Sequence, residues 1–157
     1  MSGSIRAPAP ASRSFDVVIV GGGAAGTAAA CALGSGGVNA AIIDLHEVCP
    51  PDFKADKVAG DQIGLMRRLG LFDALVSAGV RSNNVVNMRR GRVLDRHGSC
   101  EYNLPYEDLV NAMRRATPSS VARIVGRVAN IEATDDRQRV ELSVVRLPSH
   151  VRGSDLP

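Results

Sequence analysis

The chain is 157 residues long, about the size of one domain, and 45% of its residues are hydrophobic, which is enough for a substantial core. Its formal net charge is +3, but the 19 basic residues are dispersed and only 3% of the residues are aromatic. This composition argues against nucleic-acid binding, which needs clustered basic residues and stacking side chains. The longest apolar runs have the length of strands, so no membrane span is expected.

The cysteines and the N-terminal segment indicate the compartment. Cys31, Cys49 and Cys100 are odd in number and far apart, which argues against a disulfide framework and against zinc or CxxC chemistry. The three histidines are isolated, so no metal site is expected. Residues 1–14 are rich in Ser, Ala and Pro without an apolar core, which predicts a flexible tail and not a secretion signal. We therefore expect a cytoplasmic protein.

A strand followed by a glycine-rich turn lies near the start of the chain. Residues 17–20 are apolar without alternation, as in a strand covered on both faces of a parallel sheet. The glycines that follow have the spacing G-x-G-x-x-G, which allows a tight turn, close approach of backbone N–H groups to a pyrophosphate, and close packing of the next helix. The candidate phosphate-binding residues are Gly21, Gly22, Gly23, Ala24, Ala25 and Gly26.

The following residues complete a strand–helix–strand unit. Residues 24–33 are mostly alanine and favour a helix, glycines at 34–37 end it, and a second apolar strand covers residues 38–43. Asp44 ends that strand eighteen residues after Gly26, where a carboxylate can accept hydrogen bonds from ribose hydroxyls. Its charge should repel a 2′-phosphate, so NADP is not expected at this site. The neighbouring Leu45 is included in the candidate site.

Two alternatives stay open for this unit. In the first, the glycines serve packing alone and Asp44 is a helix cap or a solvated acid. The order of strand, glycine turn, helix, strand and acid favours dinucleotide binding over that reading. In the second, the ligand is NAD and not FAD, because both cofactors place an adenosine diphosphate on the same turn.

Residues 45–60 are expected to form a loop, and a helical hairpin is predicted after it. Asp61 is expected to cap the first helix of this hairpin, Gly70 to end it, and Gly79 to end the second helix. A small β-hairpin is predicted next, with strands at residues 85–90 and 92–95 joined at Gly91, and a further extended segment at residues 100–104.

The last third of the chain predicts one helix and three strands. The helix opens at Pro105 and carries Arg114 and Arg115 in its last turn, which suits the helix dipole. The strands are a third parallel strand at residues 121–125 and an antiparallel pair at 127–133 and 139–145. No structure is predicted for the tail, residues 146–157.

With these elements in order, residues 15–145 resemble the N-terminal FAD-binding portion of FAD-dependent monooxygenases of the para-hydroxybenzoate hydroxylase type, with related halogenases and geranylgeranyl reductases. The likeness rests on residues 16–26 (DVVIVGGGAAG), on 65–71 (LMRRLGL), and on 104–109 followed by 125–128 (VGRV). It implies an α/β, Rossmann-like FAD/NAD(P)-binding fold, with a parallel sheet and an antiparallel β-meander.

The resemblance adds further cofactor contacts. The second strand of the family usually ends in Glu, for which this chain has Asp44. A basic residue in the next loop reaches the cofactor, and Lys54 or Lys57 is the nearest match; the alternative for each is a solvated loop lysine. Val128 lies where a backbone group would meet the adenine. Where the family often has Arg or Gln near the ribityl chain, this chain has Tyr106.

The resemblance implies an enzyme in which NAD(P)H reduces FAD and the reduced flavin activates oxygen to hydroxylate a small organic substrate. Halogenation, reduction, a NAD-binding dehydrogenase domain and a non-catalytic remnant are the alternatives. The chain has no Asp-Gly element, and its only Gly-Asp dipeptide, Gly60-Asp61, comes too early to match the family. We therefore expect a truncated or split flavoprotein, with a separately encoded C-terminal half and an unprotected first strand. No catalytic residue can be named.

Overall fold

The computed structural model describes residues 12–146. The helices and strands are, in chain order, β1 (Val17–Val20), α1 (Ala24–Ser35), β2 (Ala40–Asp44), β3 (Ala55–Ala59), α2 (Asp61–Arg68), α3 (Phe72–Ala78), β4 (Val80–Arg89), β5 (Arg92–Pro105), α4 (Tyr106–Ala116), β6 (Ala122–Ala133) and β7 (Gln138–Arg146).

The first sheet carries the predicted strand–helix–strand unit. Its strand order is β1-β2-β6-β7, in which β1, β2 and β6 are parallel and β7 is antiparallel to β6. Residues 40–43 of β2 are all buried, as their continuous apolar run predicts for a strand covered on both faces. The expected parallel sheet with an antiparallel extension is confirmed.

Strand β1 lies at one edge of this sheet. Within the described residues it pairs with β2 alone, so its other side has no strand beside it. The side chain of Val18 is 37% exposed and that of Val20 is 53% exposed, although both are apolar. The predicted unprotected first strand is therefore present.

A second sheet was only partly predicted. It has the order β3-β5-β4 and is antiparallel throughout. The predicted loop at residues 45–60 was wrong at its end, where Ala55–Ala59 form β3, and the segments 92–95 and 100–104 belong to one long strand, β5. Strand β3 pairs with a part of β5 that lies about 45 residues away in the chain, which local patterns do not reveal, whereas β4 and β5 are neighbours in the chain.

The main core lies between this second sheet and the helices. Helices α1 and α3 both pack on α4. The buried cluster consists of Cys31, Val58, Ile63, Leu71, Leu75, Tyr102, Leu104, Leu109 and Met113. The helices predicted on either side of Gly70 are present, and Gly70 has a φ of +69°, which suits a glycine that ends a helix.

Several boundaries differ from the prediction. Helix α1 continues to Ser35 and therefore includes Gly34, which was predicted to end it. A Cβ at position 34 would lie 2.5 Å from Val121, so glycine allows the helix to pack closely there. Asp61 is the first residue of α2 and makes no capping bond. The two strands predicted between residues 121 and 133 are one continuous strand, β6. The predicted tail, residues 146–157, lies outside the described residues except for Arg146, which ends β7.

No helix in the described part of the chain is both long enough and apolar enough to cross a membrane.

Candidate functional site

The glycine turn joins β1 to α1 at the carboxyl end of the parallel strands. Gly21 has a φ of +102°, a conformation that side-chain-bearing residues rarely adopt. A Cβ on Gly26 would collide with the carbonyl oxygen of Gly21, so the third glycine is required for close packing of helix on turn. The hydroxyl of Thr27 donates to the Gly22 carbonyl at 3.1 Å and holds the turn from inside. The tight turn and the close packing of the helix that this spacing predicts are therefore present.

The first turn of α1 offers backbone donors. The amides of Ala25 and Gly26 precede the first intrahelical bond, so they have no partner within the helix. The Ala24 amide donates to the hydroxyl of Tyr106 at 3.3 Å. A Cβ on Gly23 would lie 2.8 Å from that hydroxyl, so glycine is what lets the Tyr106 hydroxyl approach the start of the helix. This arrangement fits the diphosphate of FAD, because helix N-termini with bare amides bind anions.

Asp44 lies directly beside the glycine turn. Its Oδ2 accepts a hydrogen bond from the Gly22 amide at 2.7 Å, and its Oδ1 accepts one from the His46 amide at 2.8 Å. Oδ2 also lies 3.2 Å from Nη2 of Arg114. Burial acts to raise the pKa of Asp44, but the His46 and Gly22 amides and the Arg114 charge together lower it below the ordinary value. The carboxylate therefore stays ionised to a lower pH than an ordinary aspartate does.

A carboxylate can accept about four hydrogen bonds, and the contacts of Asp44 fill three of these positions. Nδ1 of His46 lies 4.0 Å from Oδ1, beyond hydrogen-bond distance, and the Asp44 side chain is 25% exposed, so Oδ1 has room for one ligand hydroxyl. Asp44 can therefore accept a bond from one ribose hydroxyl while it holds the turn.

Arg114 is the residue of this site that the sequence analysis missed. It was predicted as a helix-end charge, but its side chain is only 8% exposed. Its Nε donates to the Gly22 carbonyl at 2.8 Å, and its Nη1 donates to the carbonyls of His46 at 2.7 Å and Glu47 at 3.2 Å. A signal was available, since Arg114 follows the fully buried Val110 by four residues and so lies on the inner face of α4.

The two candidate lysines have different positions. Lys54 lies beside the site, with its Nζ 3.8 Å from the centre of the Tyr106 ring and its carbonyl accepting the Tyr106 amide at 2.8 Å. Lys57 is not in a loop, because it lies on β3 and forms an ion pair with Glu101 of β5 at 3.2 Å. Strand pairing therefore brings Lys54, and not Lys57, to the cation–π contact with Tyr106.

The last two candidates lie at the margin of the site. Leu45 directly follows β2 and its side chain is 44% exposed. Val128 lies on β6, three residues beyond Val125, which pairs with Asp44. Val128 sits at an irregularity in the β6–β7 pairing, where the strand leaves the parallel part of the sheet.

The fold of the chain is similar to that of several solved structures. The chain is similar in fold to p-nitrophenol 4-monooxygenase PnpA from Pseudomonas putida DLL-E4 (TM-score 0.71, 20% identity, 81% of this chain and 36% of that one). It is also similar to Klebsiella pneumoniae HpxO complexed with FAD and uric acid (TM-score 0.66, 19% identity, 81% and 35%) and to the flavin-dependent monooxygenase PieE in complex with FAD and substrate (TM-score 0.64, 22% identity, 80% and 26%).

The chain thus spans about a third of the length of these solved structures. A search of curated proteins finds no match. The family model described as FAD binding domain matches residues 14–147. This match confirms the predicted cofactor, FAD, over NAD. Since it covers most of the sequence, the chain belongs to the FAD binding domain family.

Proposed function

We propose that this chain binds the adenosine diphosphate half of FAD and forms part of a monooxygenase that hydroxylates a small organic substrate. The observation that carries the proposal is the juxtaposition of the open N-terminus of α1 with Asp44, a carboxylate with one free acceptor position. In a doubly wound sheet, ligands bind at the carboxyl ends of the strands, which is where these residues meet.

Each residue has a defined part in binding. The amides of Ala25 and Gly26 donate to the diphosphate, and the bare Cα of Gly23 gives it room. The Tyr106 hydroxyl accepts the Ala24 amide and still has its own proton to donate to an oxygen of the ligand. The ammonium of Lys54, held over the Tyr106 ring, adds positive charge near the same end of the helix.

Bound FAD supplies the redox chemistry, with NAD(P)H as its reductant. The residues of this chain contribute binding and orientation of the cofactor. A small-molecule substrate is proposed for this chain from the resemblance. The names of the similar proteins, p-nitrophenol 4-monooxygenase PnpA and HpxO complexed with uric acid, mention small molecules, and these compounds are said of those proteins alone. A cytoplasmic location is proposed from the three free cysteines, Cys31, Cys49 and Cys100.

A separately encoded C-terminal half is the proposed partner. Its support is that β1 has no strand on its far side within the described residues, and that Val18 and Val20, on one face of β1, are exposed on a strand type that is normally covered. The ligand crevice of such folds lies between the first strand and the strand on its far side. A partner that adds a strand beside β1 would therefore complete the crevice.

Calorimetry of the purified chain with FAD, ADP and NADH tests the nucleotide site. We expect FAD to bind and ADP to compete with it. Saturable NADH binding without FAD binding would favour a NAD-binding domain. If none of the three binds, even when the missing half is supplied, the proposal fails.

Co-expression with the C-terminal half tests the enzyme. Restored NADH oxidation supports a split monooxygenase, whereas a stable complex without NADH oxidation supports a non-catalytic remnant.

A further inference from the structure

We propose that Arg114 is a positioning residue of the nucleotide site, and that it sets the orientation of the Asp44 carboxylate and thereby the recognition of the ribose. The inference rests on the proposed binding of adenosine diphosphate. Arg114 itself has little surface to offer a ligand, because its side chain is 8% exposed. Its effect on binding must therefore pass through the groups that it holds.

Arg114 joins three segments that are distant in the chain. From α4 it reaches Gly22 in the glycine turn, 92 residues away, and His46 and Glu47 in the segment after β2. A guanidinium presents five donors in a rigid planar fork, and four of them are used here by three carbonyls and Asp44. The turn and the end of β2 are therefore held at a fixed separation.

This separation decides what Asp44 can do. The side chain of Asp is one methylene shorter than the Glu usual at this position, so its carboxylate lies close against Gly22. The Arg114 Nη2 contact fixes the second acceptor position of Oδ2, which leaves the open position on Oδ1. Without the guanidinium the glycine turn and the end of β2 can move relative to each other, so the Gly22 and His46 amides that hold the two oxygens no longer present the free acceptor in one direction.

The alternative is that Arg114 only stabilises the fold. A structural defect weakens every ligand of the site by a similar factor, whereas a misplaced Asp44 weakens only ligands that carry the contacted hydroxyl. The ratio of affinities for ADP and for deoxy-ADP, measured on one folded protein, separates the two. Arg114→Lys keeps the charge but loses the fork, and Arg115→Lys is the matched control, since Arg115 is its exposed neighbour.

NMR titration of the chain with ADP, 2′-deoxy-ADP and 3′-deoxy-ADP is the test. The unsubstituted chain should bind ADP about tenfold or more tightly than one of the deoxy forms, because a hydrogen bond to a charged group is lost. Arg114→Lys should reduce that preference to within about twofold, and Arg115→Lys should leave it unchanged. A preference that survives in Arg114→Lys, or equal losses for all three ligands, would overturn the inference.

If Arg114→Lys does not fold, a measurement on the unsubstituted chain tests the inference instead. The Nε–H resonance of Arg114 should shift on addition of ADP and shift less with the deoxy form that binds more weakly. Equal shifts would overturn the inference, as would the absence of any preference among the three ligands. If the unsubstituted chain binds none of them, the proposed function fails and this inference with it.

Discussion

The carboxylate of Asp44 and the guanidinium of Arg114 lie 3.2 Å apart, although one residue ends strand β2 and the other lies in the last turn of α4. The same carboxylate accepts the Gly22 amide at 2.7 Å. The side chain of Arg114 thus connects α4, the last helix of the core, to the glycine turn and to the end of β2. Changes at this point should affect stability and binding in distinguishable ways.

The free energy of unfolding should fall at acid pH, because Asp44 becomes protonated and loses its charged contacts. Its pKa is lowered in the folded chain, so its contribution to stability is complete above the ordinary Asp pKa of about 3.9 and is lost as pH falls through the folded value. Asp44→Asn should lower stability at pH 7 and show a smaller further loss below about pH 4. Urea unfolding at several pH values measures this, with Asp136→Asn, an exposed turn residue, as control. Parallel acid profiles for Asp44→Asn and the unsubstituted chain would contradict it.

Gly23→Val should abolish FAD and ADP binding without unfolding the chain. The Cβ of the new valine would lie 2.8 Å from the Tyr106 hydroxyl, which can move aside, so the chain should still fold. The valine side chain would, however, occupy the space in front of α1 where the diphosphate is proposed to bind. We expect affinity to fall by at least about a hundredfold, the loss of roughly two hydrogen bonds to a charged ligand. Calorimetry measures the affinity and circular dichroism the fold. Retained affinity would count against the proposed site.

Gly64→Ala is the control for this change. Gly64 lies within α2, where an added Cβ would meet only the end of the Arg68 side chain at 3.8 Å. It should leave ligand binding unchanged.

Gly26→Ala should destabilise the fold and not only weaken binding. The new Cβ collides with the Gly21 carbonyl, which is backbone and cannot move without moving the turn. We expect a loss of about 3 kcal/mol in the free energy of unfolding, at the upper end for an overpacked site. Urea denaturation checks this, again with Gly64→Ala as control. A stability equal to that of the unsubstituted chain would show that α1 can shift away from the turn.

Tyr106→Phe should weaken the binding of FAD and ADP about three- to tenfold, because the hydroxyl proton that is proposed to donate to a ligand oxygen is lost. Tyr102→Phe is the matched control, since Tyr102 is a core residue, 7% exposed. Calorimetry measures both variants. Tighter binding in Tyr106→Phe would mean that the hydroxyl occupies the position of a phosphate oxygen and competes with it.

The glycine turn shows how far the sequence alone could go. Gly21, Gly26 and the apolar strand before them prescribe the strand–turn–helix unit through backbone conformation and close packing, which are local properties. The position of Asp44 follows from the length of that unit. The predicted helices on either side of Gly70 were likewise correct, because spacing of apolar residues and a helix-ending glycine act within one or two turns.

The tertiary structure decided the partners of these elements. Strand β3 forms through pairing with the end of β5, about 45 residues further along the chain, so no local pattern marks it. Tyr106 meets the Ala24 amide across 82 residues, and Arg114 meets Gly22 across 92. The sequence by itself determined the backbone geometry of the glycine turn. Which side chains hold that turn in place was decided by packing, because buried hydrogen bonds depend on what the fold brings within about 3 Å.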